Sequence, residues 1–374
     1  MSRIVRVEVG RFEYPLVGEF KFFRTPARPS VLVRLTDDAG VQGLGEAVPV
    51  ESWTYETVES VESTLRGYLA GAVLGADPAD LPDVHARMEH AIRPSFSVGQ
   101  PLCKAAIDLA CYDLWGKRAG RSVAALLGGA KKTEIRLSWT VNAATLDKAA
   151  QSLEQGRALG YTSFNIKLGS PQTPAYDLEL VRLVHEFEPR GFHWGDANTS
   201  YDLTTALAQA PKLADLGLRA LESPLPPNRI RDYQRLRQAR ALPILMDEGI
   251  VSPVEAEEFM ALGMMDGIAM KVARCGGLWH ASRIVTLLEK YGLKLFASGL
   301  TDAELSMAAS AHLFAWAGLA TPAALNGPQY LAGRGTEDAG FRAKGDAMRA
   351  PAGPGLGVAI GERARKAMTV AAAA

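Results

Sequence analysis

Long apolar runs are missing from this chain. No stretch of its 374 residues is apolar over the roughly 18 positions that a bilayer-spanning helix requires, so no membrane span is expected. Charge of one sign is missing as well: Lys+Arg and Asp+Glu each total 41, giving a formal net charge of zero. That balance argues against a nucleic-acid or anionic-membrane partner. Cysteine is scarce and odd in number (Cys103, Cys111 and Cys275) and has no metal-like spacing. A reduced, cytoplasmic protein is the simplest reading. The opening MSRIVRVEVG lacks the apolar core of a signal peptide and alternates as a strand does. What is present is an ordinary globular balance, 48% hydrophobic and 22% charged, over a length suited to two domains and a large core.

The first 130 residues read as α+β. Residues 3–16 and 30–47 alternate apolar and polar side chains, with the turn signal Asp37-Asp38-Ala39-Gly40 inside the second segment. Helical patterns follow near 54–72, 80–91 and 100–119, the last opening on Pro101 and closing on Gly120. From about residue 133 the rhythm changes. Short apolar runs (IRLSWTV, SFNIKLG, FHWGDAN, RALESPL, LPILMDE, GIAMKV, LKLFASG) alternate with longer amphipathic ones such as TLDKAAQSLEQGRALG and PVEAEEFMALGM. Strands alternating with helices imply βαβ units and a parallel sheet, and seven units in about 170 residues suit a (β/α) barrel. The last 50 residues lose this rhythm and are expected to wrap back over the first domain, with Ala371–Ala374 fraying.

Each strand candidate after the first ends in a charged or polar residue, and in the second to sixth it is charged: Lys167, Asp196, Glu222, Asp247 and Lys271. The steps between them are 29, 26, 25 and 24 residues, each about one βα unit. Residues ending successive strands of a parallel barrel meet at its C-terminal face. Three carboxylates converging there invite a divalent cation. Oxygen ligation suits Mg²⁺, with Mn²⁺ as the alternative, and no His or Cys joins the set to suit zinc. Two lysines flanking the carboxylates would oppose each other across the metal. A lysine so placed has its pKa lowered and can remove a proton α to a metal-bound carboxylate, the metal stabilising the enediolate. Taken singly, Lys167 could be a surface residue, Asp196-Ala197-Asn198 a turn, and Asp247-Glu248 the start of a helix. Their common spacing favours the joint reading.

These residues carry a resemblance. The chain resembles the enolase superfamily, in its muconate lactonizing enzyme subgroup, through Asn165-Ile166-Lys167, Asp196-Ala197-Asn198, Glu222 in LESPLP, Asp247-Glu248 in PILMDEGI, Lys271 in KVARCGGL, and the helix KAAIDLACYDLWGK. The resemblance implies an α/β fold, a modified TIM barrel (β/α)7β over residues 131–335 carrying the active site. It also implies an N-terminal α+β capping domain, residues 1–130, completed by 340–374. Cap loops near 17–28 and 48–56 would then cover the substrate with Phe20, Phe22, Phe23, Arg24, Trp53 and Tyr55. Arg24 could pair with a second substrate carboxylate. A homo-oligomer is implied too.

Two departures stand out. Asn165 replaces the first lysine of the family's Lys-x-Lys element, removing one positive charge beside Lys167. At the end of the seventh strand Asp302 is the nearest equivalent of the family's acid, with Glu304 close by, and could hydrogen-bond Lys271 or a substrate amine. The histidine that mandelate racemases and sugar-acid dehydratases carry there is absent, and Asn326 stands where amino-acid epimerases carry an acid pair. The expected chemistry is Mg²⁺-dependent proton abstraction from a small carboxylate by Lys167 and Lys271. Racemisation or epimerisation of an amino-acid derivative ranks first, then muconate-type cycloisomerisation, then β-elimination. A catalytically silent barrel that binds a small acid is the alternative of another class.

Overall fold

A computed structural model describes residues 2–17, 20, 22–23, 26–95, 97–332, 341 and 343–374. Arg24 lies outside the described residues. Three strands open the chain: β1 (Ile4–Pro15), β2 (Ala27–Asp37) and β3 (Gln42–Ala47). They are followed by β4 (Ile135–Arg136), β5 (Trp139–Val141), β6 (Phe164–Lys167), β7 (His193–Asp196), β8 (Leu221–Glu222), β9 (Ile244–Met246), β10 (Gly267–Met270) and β11 (Lys294–Ala297). The chain ends with β12 (Ala347–Met348) and β13 (Thr369–Ala373).

Strands β13-β1-β2-β3 make one antiparallel sheet. The C-terminal strand is therefore ordered, not frayed as its alanines suggested. Its backbone pairs with β1, and the Ala374 N–H donates to Val5 O at 2.9 Å. Helix Pro101–Ala119 packs on this sheet, and Gly45 permits it: a Cβ there would lie 1.9 Å from Ala106 O. The helix expected from residue 54 starts instead at Val58, because Tyr55 adopts φ +53 and Thr57 caps through a reciprocal pair with Ser60.

The second sheet runs β5-β6-β7-β8-β9-β10-β11 in chain order, neighbours parallel. Parallel bridges from Ala323 to Leu137 and from Ala324 to Ser298 close it into a ring, so residues 323–324 act as the eighth strand. Thr145, Thr173 and Asp202 cap the helices Leu146–Ala158, Pro174–Phe187 and Leu203–Asp215, as short polar side chains before an amphipathic run should. Inside the ring, Trp194, Ala220, Leu245, Ala269, Phe296 and Ala324 pack into a core of their own. Among the described residues no helix is long and apolar enough to cross a membrane.

Helix Pro101–Ala119 also ties the cap to the barrel. Asp108, on helix Pro101–Ala119, accepts from the N–H groups of Leu278 (2.6 Å) and Trp279 (3.3 Å), the first turn of helix Leu278–Tyr291. His85 Nε2 lies 2.9 Å from the same carboxylate. The approach requires Gly277, which has φ +104 and where a Cβ would meet Asp108 Oδ1 at 2.3 Å. Gly277→Ala is expected to cost about 2–3 kcal/mol through backbone strain and a displaced carboxylate. Urea denaturation reads the loss; wild-type stability would show that the carboxylate moves aside freely.

Candidate active site

The strand ends bring the five spaced residues together. In register, Lys167 pairs with Asp196, and Asp196 with Glu222. Asp247 and Lys271 follow β9 and β10 directly. All five are buried, Lys167 at 8% exposure being the most open. The Lys167 ammonium donates to Asp196 Oδ2 at 2.5 Å. The Lys271 ammonium donates to Asp247 Oδ2 and to Ser298 Oγ, both at 2.7 Å, and lies 3.8 Å from Glu222 Oε1. Arg274 Nε is 3.4 Å from Asp247 Oδ1.

Asn198 braces this arrangement. Its backbone N–H donates to Asp196 Oδ1 at 2.9 Å, and its side-chain amide donates to Asp196 Oδ2 at 3.0 Å and Glu248 Oε1 at 3.1 Å. Asn198, Thr199, Ser223, Thr301 and Tyr55 all take positive φ, unfavourable for residues other than glycine. Such strain gathers where the surroundings fix a functional geometry.

Four carboxylates (Asp196, Glu222, Asp247 and Glu248) thus face three cationic side chains (Lys167, Lys271 and Arg274). Burial pushes Glu222 up, and the charge of Asp196 adds to it. Burial and then Asp247 push Glu248 up. For Lys271, burial works to lower the pKa, but the attraction of Asp247 and Glu222 outweighs it and the value is raised. The sequence leads one to expect a lowered lysine; in this arrangement the carboxylates bind the ammonium directly and hold its proton on.

Among the described residues no three His, Cys, Asp or Glu side chains already close on a common point for a metal. The donor set nevertheless fits a hard divalent cation. It is all oxygen, and Glu222 Oε1 and Asp247 Oδ1 are buried without a hydrogen-bond partner among the described residues. Each faces a cationic side chain only at longer range, Lys271 at 3.8 Å and Arg274 at 3.4 Å, and a buried acceptor without a hydrogen bond is costly.

Above the mouth lies the Trp53 ring, 5.9 Å from Lys167 Nζ, 5.3 Å from Lys271 Nζ and 5.8 Å from Arg274 Cζ. Phe22 stacks on it at 4.2 Å, and Arg274 Nη1 donates to Trp53 O at 3.2 Å. Phe20 packs at 4.6 Å from Tyr330. The remaining sequence candidates are placed as follows. Asn165 is buried beside Lys167's strand end, its Nδ2 without a partner among the described residues. Asp302 accepts from the Leu300 N–H at 3.2 Å, and burial pushes it up to about 6 against the pull of Arg28. Ser298, not Asp302, is the side chain beyond the carboxylates that receives Lys271. Glu304 is buried near Tyr14 in the first turn of helix Glu304–Ala317. Tyr55 is mostly exposed. Ser298 and Arg274 were not singled out from sequence, although Arg274 stands only one helical turn's spacing beyond Lys271.

The short helix Glu51–Thr54 that bears Trp53 leads to Glu56, whose carboxylate accepts from the Leu102 N–H (2.8 Å) and the Cys103 N–H (3.3 Å). Burial pushes Glu56 up to about 7 in spite of these bonds. Its folded pKa thus exceeds the ordinary 4.5, so the stability it contributes is fully present below pH 4.5 and lost as pH rises through 7. Glu56→Gln should flatten the fall in melting temperature between roughly pH 5 and 8. An unchanged slope would refute the assignment.

A closed parallel barrel under an α+β sheet layer, its ionisable groups gathered at the C-terminal strand ends, defines an α/β-barrel enzyme. Comparison with known families specifies which. Residues 145–364 match the family described as enolase C-terminal domain-like, and residues 7–128 match the mandelate racemase / muconate lactonizing enzyme N-terminal domain. The chain belongs to the enolase superfamily, in its muconate lactonizing enzyme subgroup. Muconate cycloisomerase 1 of Rhodococcus opacus is 28% identical over 98% of each chain. N-succinylamino acid racemase of Thermus thermophilus is 30% identical over 95% of this chain and 94% of its own. The crystal structure of N-succinyl Arg/Lys racemase from Bacillus cereus superposes with TM-score 0.91 at 24% identity, covering 98% of this chain and 99% of that one, a likeness of fold.

Proposed function

We propose that this enzyme removes a proton α to a carboxylate and returns one to the same carbon, as a racemase or epimerase of an amino-acid derivative. The supporting observation is the placing of two buried lysines four strands apart on a ring of eight, Lys167 on β6 and Lys271 past β10. Groups so placed approach a bound α-carbon from opposite sides, one as the neutral amine that accepts, the other as the ammonium that donates. Asp196, Glu222 and Asp247 are the residues that would hold Mg²⁺ or Mn²⁺. When bound, the metal supplies charge stabilisation for the enediolate. Asp196 steadies Lys167; Asp247 and Ser298 steady Lys271. Asn198, itself held by Glu248, keeps Asp196 in place, and Trp53 keeps water from both ammonium groups. Asn165, beside Lys167, offers a neutral amide to the substrate where a lysine would offer charge.

The name of the Thermus relative supports an N-acylated amino acid as substrate. That of the Rhodococcus relative supports a second reading, cycloisomerisation of a diacid, in which one lysine alone moves a proton. The test is NMR in D₂O with Mg²⁺ and pools of N-acyl amino acids, dipeptides, betaines, hydroxyprolines and muconate-type diacids. Loss of an α-proton signal with scrambled configuration is the expected result. Lactone formation would move the assignment to the second reading, loss of a β-substituent to elimination. No exchange in any pool, with metal bound, would favour a silent acid-binding barrel.

A further inference from the structure

Trp194 stands two residues before Asp196 on β7 and so points, like it, into the barrel. It is wholly buried, and its indole Nε1–H donates to Glu222 Oε2 at 2.9 Å. The other oxygen of that carboxylate, Oε1, has no hydrogen bond among the described residues and lies 3.8 Å from Lys271 Nζ. One oxygen is thus tied down from the barrel floor and the other is left toward the lysines and the neighbouring carboxylates.

The barrel interior is built around this indole. Three of the positions packed with it are alanines, Ala220 just before β8, Ala269 on β10 and Ala324 on the closing segment. Phe296 meets it edge-on at 5.8 Å and Phe192 at 6.0 Å. A phenylalanine would serve apolar packing as well. What the indole adds is a single donor, and a buried indole N–H must find an acceptor. Here that acceptor belongs to one of the three carboxylates assigned above to the metal.

We infer that Trp194 is a positioning residue for the cation site: its N–H fixes Glu222 in the rotamer that presents Oε1 to a divalent metal. The inference rests on the metal-binding reading above. Outer hydrogen bonds of this kind orient ligating carboxylates, and their loss weakens metal affinity by about 10–100-fold. The role is one of orientation, since the indole N–H bonds Glu222 and neither lysine.

The test measures Mn²⁺ binding to the full-length protein by the EPR signal of free Mn²⁺, with Mg²⁺ as competitor. Three chains are compared: wild type, Trp194→Phe, and a chain with benzothienylalanine at 194. The last keeps the bicyclic shape and replaces only the N–H by sulfur, so it separates the hydrogen bond from packing even if Trp194→Phe folds poorly. The expected result is a Kd raised about 10–100-fold in the isosteric chain, with its metal-free melting temperature close to wild type. Affinity within twofold of wild type in that chain would overturn the inference while leaving the metal site standing. Wild-type protein that leaves millimolar Mn²⁺ free would overturn the metal reading itself, and this inference with it.

Discussion

Replacing Lys271 by alanine is expected to abolish racemisation and to lower α-proton exchange from one enantiomer by about 10²–10⁴-fold, while exchange from the other enantiomer survives. Lys167→Ala should give the mirror result. The asymmetry follows from two bases on opposite sides of one carbon: each remaining lysine still reaches the proton on its own side but has no partner to complete inversion. Exchange lost for both enantiomers in one variant, and untouched in the other, would mean single-base chemistry and favour cycloisomerisation. Exchange surviving both substitutions would remove the two lysines from the mechanism.

The same substitution has a consequence that needs no substrate. The Lys271 ammonium is fully buried and bonded to Asp247 and Ser298, with Glu222 close by. Removing it leaves two buried carboxylates without that counter-charge, a change that typically costs about 3–5 kcal/mol. Metal-free Lys271→Ala should therefore melt well below wild type, and Mg²⁺ should raise its melting temperature more than it raises that of wild type, because ligand binding to the native state alone stabilises by mass action. Equal metal-induced shifts in the two proteins would separate Lys271 from the cation site.

The five strand-end groups were legible in the sequence because a parallel barrel repeats. One βα unit has a nearly constant length, so polar residues that end apolar runs at that spacing must meet on one face. The cap sheet was legible for a simpler reason, the two-residue alternation of residues 3–16 and 30–47. What stayed hidden are polar residues whose partners are remote in sequence and carry no period. Ser298 reads as an ordinary strand-end serine, yet it receives Lys271. Trp194 reads as core, yet it holds Glu222. Asp108 reads as one more acid in an amphipathic helix, yet it meets a helix start 170 residues away. The order of the C-terminal alanines was hidden likewise, since the strand they add depends on the free edge of β1 and not on their own propensity.

Arg28 is the largest of these hidden contacts, and Arg28→Met is expected to be the most destabilising single change outside the strand-end cluster. The side chain is fully buried, on β2 of the cap sheet. Its Nε donates to Thr301 O at 3.0 Å, and Nη2 donates to Leu300 O and Val48 O, both at 3.1 Å. Nη1 bonds Pro29 O and the Ser30 hydroxyl. One guanidinium therefore joins the turn after β11, which carries Ser298, to the segment leading into the short helix that carries Trp53. Burial lowers its pKa, and the charges of Glu46 and then Asp302 oppose that shift. Methionine matches the length but leaves several buried carbonyls unpaired and removes that counter-charge, a loss of about 3–5 kcal/mol. Lysine keeps the charge but not the fork, and should fall between. The loss should also depend on pH. Asp302 has a folded pKa raised to about 6, so below that value it is neutral and asks little of Arg28. As pH rises through 6 the carboxylate ionises, and the variant should lose stability relative to wild type. Urea denaturation of the three proteins on either side of pH 6 reads both effects. A difference from wild type that is small, or equal on the two sides, would show that the turn and that segment are held by packing and not by this guanidinium.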